Sequence, residues 1–397
     1  MKNYKYFFIA TILLFLTACQ EKDWGPLDNA TGKPAVVTNI IVENAPGGAI
    51  IYYSLPNTGS VTYVKAVYKL QNGTEKAVIS SAFKNNILIE GLADTLRHEV
   101  QLYTVNKSEV VSDPVIVSIQ PQKPPILSIY ESLQVKEDFG GVNLRFENPL
   151  KKEVVLYAFI KDSTNTWKSL DRLYTQAESR SYNIRNMQPV PTDFAFFFKD
   201  LWGNFSDTLY SNLTPIYEEE INKKLWKVYK LPNDHNTNYW AGLEIHKLWD
   251  TYVGCNTCRY LANDIPVPDI PNWFTIDLGQ TVTLSRIKIN QYTTAGYAYN
   301  TGAPRRFEIW GIQNTPPSDG SWDGWVHLLD CESIKPSGMG IGTVTAEDLS
   351  YANAGESFDF PPGTPPVRYF RFKLLETWDK RNNLHLAEIT LWGQAIK

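Results

Sequence analysis

The sequence predicts an all-β chain made of serial sandwiches, and three observations carry that reading. Short runs alternate apolar and polar residues at Thr62–Tyr68, Val100–Val105 and Val154–Phe159, as half-buried antiparallel strands do. Turn residues such as Asn72-Gly73 and Gly203-Asn204 punctuate these runs at intervals typical of a sandwich. A length of 397 residues exceeds what one core supports and predicts two to four domains.

The N-terminus is basic at Lys2 and Lys5 and then apolar or hydroxylic from Tyr6 to Ala18, ending in Leu16-Thr-Ala-Cys19. A stretch of this length is too short to span a bilayer as a mature helix. It resembles a bacterial lipoprotein signal, which implies that residues 1–18 are removed and that Cys19 is lipidated. Each buried acyl methylene is worth about 0.8 kcal/mol, and stable anchoring takes more than one chain; a lipoprotein cysteine carries several. Gln20-Glu21-Lys22-Asp23 resembles the acidic tag that sends Bacteroidetes lipoproteins to the cell exterior. The resemblance therefore implies an outer-membrane lipoprotein, exposed at the cell surface and joined to the membrane by its lipid anchor. No later stretch approaches the length of a transmembrane helix.

A net charge of -4 argues against nucleic acid as a partner, because phosphate recognition demands a basic stripe. Beyond Cys19 the cysteines are Cys255, Cys258 and Cys331. Their odd number in an oxidising compartment leaves one thiol over; a structural disulfide is expected, with its pairing open. Aromatic residues make up 13% of the chain, and nine of its twelve tryptophans lie at or after Trp226, so the enrichment belongs to the C-terminal part.

Between residues 34 and 215 the chain repeats itself at a spacing of about 93 residues. Gly47-Gly48 through Pro56 aligns with Gly140-Gly141 through Pro149, and Ser112-Asp113 through Pro121 aligns with Ser206-Asp207 through Pro215. Two sandwiches are expected, over 34–121 and 125–215. They resemble fibronectin type III or immunoglobulin-like modules without the Cys-Trp-Cys signature. The Pro-rich stretch 121–125 favours extended chain and a stiff junction, which makes the pair a stalk. In residues 216–234 acids precede lysines four positions on, Glu219 before Lys223 and Glu220 before Lys224, and Pro232 closes the segment. A linker with a short helix that packs on the next domain fits.

From 235 to 397 the motifs change. Asn272 through Gly279, Leu284 through Ile289, Pro304 through Gly311, Val367 through Leu374 and Leu386 through Gly393 are together similar to the discoidin domain, also called coagulation factor 5/8 type C. That resemblance implies an eight-stranded galactose-binding-like β-jelly roll of a kind that includes many carbohydrate-binding modules. The layout of lipobox, two sandwiches and discoidin-like domain also resembles outer-membrane lipoproteins of polysaccharide-utilisation machinery, which implies a glycan transporter in the outer membrane as a further partner.

Residue chemistry points the same way. A pyranose presents an apolar face and a rim of hydroxyls, so its receptor needs a flat ring beside amide, carboxylate or guanidinium groups. Two segments between predicted strands have that composition, 291–300 and 376–383. The candidate sugar-binding residues are Tyr292, Tyr297, Tyr299, Asn300, Arg305, Trp378, Asp379, Arg381, Asn382 and Asn383, with Trp378 as the stacking platform. The competing reading of Trp378 is a ring folded back onto its own domain. Trp273, Trp310 and Trp392 are expected in core or rim packing, and Trp322 and Trp325 close a loop, Trp322 with its ring open to solvent or packed. One indole face covered by a sugar buries about 80 to 100 Å², or about 2 to 2.5 kcal/mol, so single-site affinity is expected near 0.1 to 1 mM, recovered by avidity among many copies.

The discoidin resemblance also implies a structural Ca²⁺, for which Glu388 matches the glutamate of the last strand and Asp250 an acid of an early loop; binding itself requires no cofactor. Without the ion, Glu388 is expected to pair with an arginine. No carboxylate pair, histidine spacing, P-loop or Gly-x-Ser-x-Gly elbow marks a catalytic centre. The expectation is a non-catalytic glycan-binding protein. Its rivals are a protein-binding adhesin or scaffold that uses the same loops and an undetected glycoside hydrolase.

Overall fold

The computed structural model describes residues 32–57, 61–235, 240–262 and 270–396. The expected signal peptide, Cys19 and the acidic tag lie outside the described residues. No described helix is long and apolar enough to cross a membrane. The chain divides into two compact units, one of residues up to 134 with 145–181 and 194–211, the other of 135–144, 182–193 and 212–397.

The first repeat holds β1 (Thr38–Ala45), β2 (Gly48–Ser54), β3 (Val61–Lys69), β4 (Glu75–Ser81), β5 (Asn86–Glu90), β6 (His98–Asn106) and β7 (Val115–Ile119). They form a three-stranded sheet β1-β2-β5 and a four-stranded sheet β4-β3-β6-β7. Alternation does the packing: Ile51, Val64, Ala66, Ile89, Val100 and Leu102 point into one core while their neighbours face water.

The second repeat begins with α1 (Pro125–Glu131) and continues through β8 (Gln134–Asp138), β9 (Gly141–Glu147), β10 (Val154–Lys161), β11 (Trp167–Thr175), β12 (Ser179–Ile184), β13 (Thr192–Asp200) and β14 (Leu209–Leu213). Its sheets, β12-β9-β8 and β11-β10-β13-β14, copy those of the first repeat strand for strand. The copying reaches single hydrogen bonds. Gly47 N donates to Gln122 O and Gly140 N to Ile216 O, and Ser112 and Ser206 each accept from the preceding strand, at Thr104 N and Phe198 N. Gly48 and Gly141 are required by close approach, since a Cβ would stand 1.8 Å from Ile89 O in one copy and 1.7 Å from Ile184 O in the other.

The Pro-rich junction departs from the extended chain expected of it. Pro124 caps and Pro125 opens α1, whose Ile126 and Ile129 are buried. A proline at the first helical position loses no hydrogen bond, so the same residues that stiffen an extended chain also start this helix.

The C-terminal part is the jelly roll: β15 (Glu219–Glu220), β16 (Lys227–Val228), β17 (Tyr260–Leu261), β18 (Asn272–Asn290), β19 (Pro304–Ile312), β20 (Val326–Glu332), α2 (Ala346–Ala354), β21 (Glu356–Asp359), β22 (Val367–Thr377), β23 (His385–Leu386) and β24 (Glu388–Ala395). The main sheet runs β15-β24-β18-β22-β19-β20, with β16 and β21 also on β18. β18 serves both layers by turning at Gly279: before it the strand pairs with β22, beyond Val282 with β24. Gly279 has φ +73° and lies against Leu225, whose carbonyl would be 2.6 Å from a Cβ. The core centres on a stack of Phe274, Phe372 and Phe307 and includes Ile276, Ile287, Phe370 and Leu391.

Residues 216–234, expected as a linker with a short helix, are two short strands flanking one 3-10 turn at Lys223–Leu225. Glu219 and Glu220 pair with β24, and Lys227 and Val228 pair with β18. The i,i+4 pairs that suggested a helix are worth only about 0.2 to 0.5 kcal/mol each; burial of Ile221 and Trp226 in the jelly-roll core outweighs them. The disulfide joins Cys255 to Cys258, and Cys331 is a buried free thiol whose pKa is raised by burial.

Candidate functional site

Three connections of the jelly roll meet here, the β18–β19 loop, the β20–β21 segment that contains α2, and the loop after β22; the first and third, with Arg305 of β19, supply the candidate residues. Main-chain bonds draw the first and third together. Trp378 N donates to Ala303 O and His385 N to Gly302 O, while Gly302 N donates to Asp379 Oδ1 at 3.0 Å. Gly302 cannot be replaced here, because its φ is +81° and a Cβ would lie 2.4 Å from Asn383 O. Tyr299, Thr301 and Lys380 also adopt left-handed φ angles, +55°, +50° and +62°. Such strain in residues other than glycine clusters where function demands a particular loop shape.

Trp378 is not the open platform expected of it. The ring is half-buried on Ala298, Tyr299 and Ala352, meets Tyr299 edge to face at 5.2 Å, and has the Arg305 guanidinium 5.1 Å from its centroid. Its Nε1 donates to Ser333 Oγ at 3.2 Å, which in turn donates to the buried Glu356. Helix α2 supplies Ala352 and holds its N-terminus by a reciprocal capping box between Thr345 and Asp348. Burial would raise the Asp348 carboxyl, yet the amides of Thr345 and Ser337 outweigh it and hold the group at about 2.

Of the three candidate tyrosines the exposed one is Tyr297, 36% accessible. Tyr292, 2% accessible, and Tyr299, 1% accessible, are buried beneath the loop, which removes both from direct contact with a large ligand. Tyr297 lies edge-on to His385 at 5.7 Å and beside Tyr292 at 5.6 Å. The Arg259 guanidinium covers Tyr292 at 4.2 Å. Burial, then the nearby Arg259 charge, drives the His385 pKa down to about 4, so the imidazole is neutral at physiological pH, with Nδ1 against Thr301 O at 3.1 Å.

Asn300, Arg305, Asn382 and Asp379 are partly accessible, Arg381 is exposed, and Asn383 is buried. Asp379 takes the Arg381 guanidinium at 2.9 Å, and Glu376 gathers Arg305, Arg306 and Lys380. Several buried donors or acceptors have no hydrogen-bond partner among the described residues: Arg259 Nε and Nη1, Arg305 Nε, Asn383 Nδ2 and His385 Nε2. Arg259 and His385 were missed by sequence reasoning. The disulfide loop before Arg259 and the short strand that starts at His385 reach this end only through the fold.

The residues expected to hold calcium do not fit the ion. Glu388 is buried and takes Lys223 Nζ at 2.5 Å on Oε1 and Thr251 N at 3.3 Å on Oε2. Asp250 is paired with Lys247 at 3.2 Å. Both acids thus already carry a cation, and for Glu388 it is a lysine rather than the arginine expected. Glu308, His327 and Asp330 also converge, but Glu308 is occupied by Lys373 Nζ at 2.9 Å and Trp310 Nε1 at 2.7 Å.

Fold and loop chemistry together define a modular all-β protein with a discoidin-like jelly roll at its C-terminus. Three family profiles, each described as a domain of unknown function, match it: DUF4959 over 34–121, DUF5126 over 122–224 and DUF5000 over 249–393. Among solved structures, SusE-like protein BT2857 is 35% identical over 69% of this chain and 100% of its own, with a TM-score of 0.46. On that sequence identity the chain belongs to the SusE-like family. The family 32 carbohydrate-binding module of C. perfringens NanJ, in complex with galactose, is 12% identical over 44% of this chain and 98% of its own, TM-score 0.32. The C-terminal domain of a chitobiase from Bacteroides fragilis is 9% identical over 45% and 100%, TM-score 0.33. No protein of curated function matches the chain.

Proposed function

We propose that this is a non-catalytic, lipid-anchored glycan-binding protein of the outer-membrane surface that captures polysaccharide or oligosaccharide for uptake by an outer-membrane transporter. In this reading residues 34–121 and 125–215 are the stalk and the jelly roll is the binding domain. The observation that carries it is Tyr297, an exposed ring held edge-on by His385 and flanked by loops with strained backbone and amide or guanidinium donors, the pairing a pyranose requires. Trp378 becomes the support behind the site, and Arg305, Asn300, Asn382 and Arg381 its hydrogen-bonding rim. A non-catalytic role is supported by Glu356, Glu376 and Asp379, each engaged by hydrogen bonds or cationic partners, whereas glycoside hydrolysis needs two working carboxylates across a cleft.

A second reading, a protein partner, is favoured by the exposed apolar residues Ile334, Met339, Ile341 and Val344 in the β20–β21 segment. Affinity electrophoresis against a polysaccharide panel separates the two. Loss of about 2 kcal/mol of ring contact weakens binding roughly 30-fold, so Tyr297→Ala should abolish retardation with little change in melting temperature, while Trp378→Ala should lower the melting temperature. Undiminished retardation of Tyr297→Ala would remove the site, and no retardation by any glycan would favour the apolar loop and a protein ligand.

A further inference from the structure

Glu388 opens β24 in the interior of the jelly roll, 5% accessible, and the side chain that reaches it is equally enclosed: Lys223, 10% accessible. The ammonium nitrogen lies 2.5 Å from Glu388 Oε1, 2.8 Å from Thr390 Oγ1 and 3.8 Å from Glu220 Oε1. Two of its N–H groups donate hydrogen bonds, to Glu388 and Thr390, and Glu220 adds a third oxygen at ion-pair distance. We propose that Lys223 is a built-in counter-ion that takes the seat of a divalent cation, so that the jelly roll carries its own cation and folds without calcium.

The backbone is arranged to deliver it. Lys223 starts a 3-10 turn whose cap, Asn222 Oδ1, accepts from Lys224 N at 3.1 Å. On one side β15 is paired to β24, the strand that bears Glu388 and Thr390; on the other β16 is paired to β18. The backbone of the lysine is therefore fixed from both flanks, which leaves only its side-chain rotamers to be ordered in forming the pair. The far side of Glu388 is closed by Thr251 N, from a residue at φ +71°. The charges around the acid are Asp250, Glu220 and Glu388 against Lys247 and Lys223, a sum of -1, so the two lysines already neutralise most of the charge that would draw a divalent ion. The oxygens around Nζ are hard ligands, and with the ammonium removed they are of the kind calcium takes.

Thermal unfolding of the full chain at neutral pH, in excess EDTA and in saturating calcium chloride, tests this. The wild-type melting temperature should be the same in both. Lys223→Met should melt lower in EDTA and recover by about 4 to 8 °C in calcium. The double variant Lys223→Met/Glu388→Gln, which has neither charge, should be indifferent to calcium. A wild-type protein raised in calcium by that amount overturns the proposal, as does a Lys223→Met protein that ignores the ion. Should Lys223→Met not fold in EDTA, recovery of folded protein on adding calcium supports the proposal and failure to recover counts against it.

Discussion

Lys223 meets Glu388 at 2.5 Å, whereas Arg371 stands 3.6 Å from Asp234, though both pairs are buried in the same jelly roll. The first pair is held by hydrogen bonds, with Lys223 donating also to Thr390 Oγ1 and Glu388 accepting also from Thr251 N. The second is held by rings: the Arg371 guanidinium lies 4.1 Å from Trp325, 4.4 Å from Trp322 and 5.9 Å from Trp273. Its Nε donates to Thr275 Oγ1 at 3.1 Å, while Nη1 and Nη2 have no hydrogen-bond partner among the described residues. In neither pair does the opposite charge outweigh desolvation. Burial lifts Glu388 to about 7 against the pull of Lys223, and lifts Asp234 to about 6 against Thr275 and Arg371. The difference lies in what each pair can do about it. A lysine and a glutamate can both discharge, so they need each other's hydrogen bonds; an arginine cannot give up its proton and is kept instead by aromatic faces.

The largest effect expected is therefore from emptying the ring cage. Arg371→Ala removes a fully buried side chain from among three indoles and should cost about 3 to 5 kcal/mol in chemical denaturation, the range for large buried truncations. Arg371→Met keeps most of the volume and lets Asp234 take up a proton, so it should cost less than about 1.5 kcal/mol. Equal costs for the two variants would mean that the cage needs the cation itself rather than its bulk.

Lys223→Met comes next, and its cost depends on pH. The Glu388 carboxyl is raised in the folded state, so the fold binds a proton that the unfolded chain releases, and wild-type stability falls as pH rises from about 4.5 to about 7. Without Lys223 the folded pKa moves higher still and the decline continues beyond 7. The gap between variant and wild type should then widen by up to about 1.4 kcal/mol per pH unit, from about 1 kcal/mol of lost hydrogen bonding at low pH. Denaturation midpoints across a pH series read this directly; a gap that narrows with rising pH would mean that Lys223 does not neutralise Glu388.

These two pairs also mark the boundary of what the sequence discloses. The sandwiches are legible because strand alternation and Gly-Gly corners are local signals, repeated at one spacing. The packing of Trp273, Trp310, Trp322 and Trp325 is legible from their places at strand ends and in a short loop, and the structure gathers them around Arg371 and Lys373. Lys223 misleads, since Glu219 four residues earlier is a plausible helical partner whereas the carboxylate it reaches is 165 residues away. Trp378 misleads for a related reason. An indole among charged neighbours reads as exposed, and what covers it is Tyr299 from the β18–β19 loop and Ala352 from α2, together with a serine that takes its N–H. The two candidate segments are legible by composition, but that they lie side by side, with left-handed turns at Tyr299, Thr301 and Gly302 and Tyr297 rather than Tyr292 or Tyr299 facing solvent, is something residue types alone do not announce.

A third pair calibrates the other two and should give the smallest effect. Arg368 grips Asp277 through two bonds of 2.9 Å, Nε to Oδ1 and Nη2 to Oδ2, yet its side chain is 43% accessible. Here the balance reverses. Burial pushes the Asp277 carboxyl up, but the hydrogen bonds from Arg368 and from Gly279 N prevail and hold it below its ordinary value. The stabilisation is thus present above the unfolded pKa and lost as pH falls through the folded one, opposite in slope to Glu388 and Asp234. Arg368→Ala should cost about 0.5 to 1 kcal/mol, diminishing with added salt, and Arg368→Lys should lose much of the same because an ammonium cannot make the paired contact. If Arg368→Ala cost more than Lys223→Met at neutral pH, geometry rather than enclosure would rank the ion pairs of this fold, and the contrast between the hydrogen-bonded pair and the ring-held one would lose its physical basis.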